Sequence, residues 1–130
     1  MPMDIKTEKA RNLAFILSEP HGTVAREVVT IASGEGVLEA GTVLGRVTAT
    51  GRYVASPNAS VAGKEGAETA VAVLGYQVDA TSADAKAVIV DGGGGVEVKA
   101  SMLVFHSSVD NAAKRNTKLT QLRSVGFKAR

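Results

Sequence analysis

Short apolar runs, each cut off by glycine or a polar turn, constrain this chain more than any other feature of its 130 residues. The stretch "AVIVDGGGGVEVKASMLVF", residues 87–105, reads as strand, turn, strand, short link and one more apolar strand or turn. β-Branched side chains pack well on a pleated surface, so Val- and Ile-rich runs of this length favour extended backbone. In "TVAREVVTIA" (23–32) that preference outweighs the helical spacing of Val24, Val28 and Ile31. "TVLGRVTATGRYVA" (42–55) alternates loosely, with Val43, Gly45, Val47 and Ala49 on one face and Leu44, Arg46, Thr48 and Thr50 on the other. Thr50-Gly51-Arg52 is its tight connection, and "TAVAVLGYQVDA" (69–80) is a buried-strand candidate. Strands and turns at this spacing predict an all-β ribbon or small barrel-like domain.

Both ends depart from the pattern. Residues 1–12, "MPMDIKTEKARN", are polar and aperiodic, which predicts a flexible N-terminal arm ahead of a single domain over 13–130. In 110–130, Asp110 is placed to cap a helix, Leu119 and Leu122 share a face, and Gly126 is placed to end it. A short C-terminal helix therefore closes a mainly β fold. Apolar residues make up 45% of the chain but aromatics only 4%, so Ala and Val supply much of the core. Each such side chain buries little area, at about 25 cal/mol per Å². A thin core of this kind suits assembly with copies of the chain or with a partner.

Catalytic and metal chemistry find little footing. The absence of cysteine excludes disulfides and thiolate metal sites. His21 and His106 are the only imidazoles, neither has a second His at ligand spacing, and both read as structural or surface residues with no metal. "DGGGG" (91–95) lacks the Lys and helix start of a phosphate cradle, carries Asp91 and Glu97 nearby, and reads as a hairpin tip. Gly41, Gly45 and Gly51 likewise precede no helix and serve turns and close strand approach. His106, Ser107 and Asp110 are neighbours in sequence rather than a triad, and no G-x-S-x-G is present. The expectation is a non-enzyme without a cofactor. "LAFIL" (13–17) is too short for a membrane span, so the chain reads as made in a cytoplasm with no membrane partner.

Charge is uneven. Lys114, Arg115, Lys118, Arg123, Lys128 and Arg130 face one acid, Asp110, across the last 21 residues. That run reads first as a solvated face matched to a helix dipole. A nucleic-acid-binding module is the alternative, weakened because Phe127 is the only aromatic interleaved for base stacking. Tyr53 and Tyr76, the only tyrosines, are too few for a carbohydrate platform.

Taken in order, "FILSEPHGTVAREVVTI", "LEAGTVLGRVTATGRYV", "AVAVLGYQVDAT", "AVIV" and "LVF" resemble the lambda-type bacteriophage head decoration proteins, from about Ala14 to Phe127. Ala25 stands where the pattern has Ser, the four glycines at 92–95 are unlike its usual turn, and the first twelve residues match none of its blocks. The resemblance implies a bent β-ribbon fold called a β-clip and a cement protein of the virion. Such proteins sit as homotrimers at local three-fold sites outside the expanded head and reinforce it against packaged DNA, with the major capsid protein as partner. It also implies that an N-terminal segment makes the shell contact, here Ile5, Lys6, Thr7, Glu8, Lys9 and Arg11, anchored by Phe15, Ile16, Leu17, Ser18, Glu19, His21 and Arg26. On that reading, deletion of 2–18 abolishes shell binding and leaves the fold intact.

Overall fold

The computed structural model describes residues 11–18, 26–91 and 95–130. Its strands are β1 (Ile16–Ser18), β2 (Arg26–Ile31), β3 (Gly36–Leu38), β4 (Val43–Arg46), β5 (Tyr53–Ala55), β6 (Ala70–Leu74), β7 (Val78–Ala80), β8 (Ala85–Val90), β9 (Val96–Val98) and β10 (Phe127–Ala129). One α-helix among the described residues, α1 (Ala112–Ser124), precedes β10. The fold is therefore mainly β with a small barrel and one short C-terminal helix, as the turn-punctuated sequence predicts.

Strands β2-β5-β4-β6-β8 close into a barrel, β3 and β7 form an antiparallel ribbon, and β1-β9-β10 form a separate sheet. Inside the barrel, Val29, Ile31, Leu44, Ala72, Leu74, Ala87 and Ile89 pack together. The opposite face of the same wall, Val43, Val73 and Val90, packs under the three-stranded sheet and helix with Phe15, Val96, Val98, Leu122 and Phe127. Val43 and Leu44 are consequently both buried, and the loose alternation read along 42–50 does not separate a wet face from a dry one there. A strand covered on both sides favours continuous apolar runs over strict alternation.

Gly45 sits where this wall is tightest. A Cβ there would overlap the Ala67 carbonyl, so only glycine lets the 66–68 segment lie against β4. Gly51 holds φ +72° at the β4–β5 turn, with its N–H donating to the Val47 carbonyl at 2.8 Å. The stretch 40–54 turns the chain, as expected.

Three local readings are corrected. The run 69–80 is two strands, β6 and β7, separated at Gly75–Gln77. The strands around "DGGGG" do not pair with each other: β8 pairs β2 and β6, whereas β9 pairs β1 and β10. The hairpin-tip reading itself falls on Gly92–Gly94, which lie outside the described residues. The helix cap is Asn111 rather than Asp110: its side chain accepts from the Lys114 N–H at 2.9 Å. Asp110 pairs with the Lys114 ammonium at 2.9 Å, which holds its carboxyl below the usual carboxylate range.

Candidate functional site

The sheet β1-β9-β10 gathers both ends of the chain. β9 is its centre, antiparallel to β1 and parallel to β10. β1 is an outer strand, so one side of it meets no other strand among the described residues. Its register against β9 shifts between Ile16 and Ser18, which leaves Leu17 as the extra residue of a bulge. Bulges at sheet edges re-aim a side chain, and Leu17 is 50% exposed.

The anchoring upstream of β1 is specific. Asn12 Oδ1 accepts from the Gln77 N–H at 3.0 Å, and the Leu13 N–H donates to the Gly75 carbonyl at 2.9 Å. Leu13 has φ 61°. That left-handed conformation costs a non-glycine residue about 1–2 kcal/mol. Packing of its side chain against the core helps offset the cost.

Placement of the expected contact residues divides them. Ile5, Lys6, Thr7, Glu8, Lys9, Glu19 and His21 lie outside the described residues. Arg11 is exposed, and Arg26 is half-buried at the start of β2, opposite Val90. Ile16 is half-buried against the core, and Ser18 ends β1. Phe15 is 1% exposed, its ring packed in the core of the chain itself. Deleting 2–18 would remove that ring and β1 together, so the cut is expected to cost stability as well as the arm.

Other candidates resolve into structure. His106 Nδ1 accepts from the Ser108 N–H at 3.1 Å and meets the Ser108 hydroxyl at 2.8 Å, which stabilises a turn. No group of three His, Cys, Asp or Glu side chains placed to hold a metal occurs among the described residues. No helix among them is long and apolar enough to cross a membrane.

The basic C-terminal set is not one surface. Lys118 is buried, donating to the Ser56 hydroxyl at 2.9 Å, the Pro57 carbonyl at 2.6 Å and the Glu68 carbonyl at 2.5 Å. Burial pushes its pKa down, with Glu68 opposing. This ammonium staples the helix to two loops, a role not expected from its place in a basic run. Its signal was the four-residue spacing to Leu122, which puts both on the buried helix face. Lys114 is spent on Asp110 and Arg130 on Glu97, at 3.1 Å, while Arg115, Arg123 and Lys128 are exposed.

An open cleft of about 650 Å³ lies between β2 and the β4–β5 turn, lined by charged and polar side chains including Glu27, Arg46, Arg52, Tyr53, Asp84 and Lys86. Burial, with Glu27 close by, raises the Tyr53 phenol above its ordinary value against the opposing pull of Arg46.

In comparison with known families, the chain matches the family described as bacteriophage lambda head decoration protein D, over residues 5–127. It spans β1 to the start of β10 and reaches into the N-terminal segment that none of the recognised blocks covered. No curated protein matches the chain.

Proposed function

Because this chain belongs to the bacteriophage lambda head decoration protein D family, whose members are structural capsid proteins, we propose that it binds the expanded phage head as a homotrimer at local three-fold sites. There it stabilises the shell against internal DNA pressure. The observation that carries this reading is a family match running from the N-terminal segment through the barrel and helix.

The N-terminal segment with β1 is the contact element in this proposal. An open strand edge offers main-chain donors and acceptors to a partner strand, and Leu17 adds an exposed apolar side chain beside it. Ordering an arm costs about 1–2 kcal/mol per residue, so a single arm binds weakly. Three arms on one closed assembly act together, and avidity raises the effective affinity by about 10²–10⁴. A site whose parts meet only in the expanded shell favours that state by mass action.

Co-sedimentation of the purified protein with expanded, undecorated heads tests this, with unexpanded shells as control. Saturable binding to expanded heads alone is the expected result. Absence of binding to both overturns the proposal.

A further inference from the structure

The barrel is not closed equally all the way round. β2 pairs with β8 along six residues, Arg26 to Ile31. Against β5 it meets only at Ile31↔Tyr53, next to an Ala32 N–H bond to the Tyr53 carbonyl at 3.0 Å. Backbone groups alternate sides along a strand, so the side that Ala32 turns toward β5 is also the side of Thr30 and Val28. A second contact agrees. The Val88 carbonyl, opposite Val28, accepts from the Gly75 N–H at 2.9 Å, away from β2. Val28 and Val88 are therefore a pair that exchanges no ladder bonds, and the Val28 N–H and carbonyl point away from β8. Among the described residues no strand pairs with β2 on that side before Ile31.

The 650 Å³ cleft lies along this stretch of β2. Three cations, Arg46, Arg52 and Lys86, line it with two acids, Glu27 and Asp84. Arg52 is ion-paired to Asp84 at 2.9 Å, and the Lys86 ammonium donates to the Thr30 hydroxyl at 3.3 Å. Arg46 has no carboxylate partner among the described residues and is exposed. The surplus positive charge stands out because residues 1–109 carry a net charge of −3.

We propose that the open edge of β2 takes an extended, carboxylate-bearing segment of the coat protein as an added strand, with Arg46 meeting the carboxylate. This rests on the head-binding reading and adds a second contact, separate from the N-terminal arm. A second copy of the chain fits the charge less well. Its outer strands β1, β3 and β10 contain no acid. On β7, Asp79 is already held by the Thr81 N–H at 3.0 Å and hydroxyl at 2.6 Å, and Glu27 on β2 is the acid that a β2-to-β2 pairing of two copies would offer, an arrangement that dilution would undo.

Hydrogen–deuterium exchange of the wild-type chain, free and bound to expanded heads, reads the edge directly. On binding, peptides spanning 26–32 should take up about two fewer deuterons, from the Val28 and Thr30 amides that lack a β8 partner. Arg46→Glu, with an unchanged melting temperature, should bind heads at least about tenfold more weakly through loss of a charge-assisted contact. Wild-type protein that sediments with heads but shows unchanged uptake in 26–32 overturns this inference and leaves head binding standing. Protection that is already present in the free protein and is lost on dilution assigns the edge to a second copy and also overturns it. Wild-type protein that does not sediment overturns both. The exchange result uses the unmodified chain and stands whatever the fold of Arg46→Glu.

Discussion

In the barrel, β4 pairs with β5 across one tight turn while the longest ladder joins β2, at 26–31, to β8, at 85–90, and the walls are Val, Ala, Leu and Ile throughout. In the β1-β9-β10 sheet, three strands of three residues each come from positions 16–18, 96–98 and 127–129. Phe15 and Phe127 are buried in the core under this sheet, and Phe105 packs against it. The barrel thus gets by on small aliphatic side chains, while the junction of the two ends uses phenylalanine. The difference matters for function because the proposed shell-contact segment leaves from the same junction that holds the fold together.

Mutations at the junction and in the barrel test that contrast. Phe15→Ala should cost about 3–5 kcal/mol, since a fully buried ring leaves a cavity. Removal of 2–18 should be at least as damaging, whereas removal of 2–10 should leave the thermal midpoint unchanged. Thermal unfolding of the three variants checks this, and an unshifted Phe15→Ala would mean that the junction is dispensable. Lys118→Met should cost about 2–3 kcal/mol, because three buried oxygens lose a charged donor, as read by chemical denaturation. In the barrel, Gly45→Ala should cost about 1–3 kcal/mol by forcing the Ala67 carbonyl outward. A neutral result there would show that this wall yields.

Arg130→Ala, which breaks a largely exposed pair with Glu97, should cost at most about 1 kcal/mol. The smallest effect is expected for Asp110→Asn. The Asp110 pKa is depressed by Lys114 in the fold, so its contribution is present above the unfolded carboxylate value and is lost as pH falls through the folded one. Wild type and variant should therefore differ slightly at neutral pH and converge in acid, as melting curves at both would record.

The sequence announced the barrel because each of its strands is an apolar run closed by a turn. The pairing of β1 with β9 was not legible: three residues carry too little periodicity to name a partner some eighty positions away. Phe15 read as an arm anchor for the same reason, since "LAFIL" is apolar whether it faces a partner or its own core. Lys118 read as part of a solvated run because its charge hid its place one helical turn before Leu122. Asn111 and Asp110 are adjacent and equally able to cap, so only the geometry of the first turn distinguishes them. The proposed contact residues rest on the family resemblance and on the extended character of the N-terminal stretch, and the family match shows the family.

The most direct test of the account is a head-binding titration of the full chain against the chain lacking 2–10, both with the same melting temperature. The account predicts saturable binding of the full chain to expanded heads and loss of at least about a hundredfold in affinity for the truncated one, the scale of avidity from joined arms. Equal binding by the two would contradict it, and would move the shell contact off the N-terminal segment.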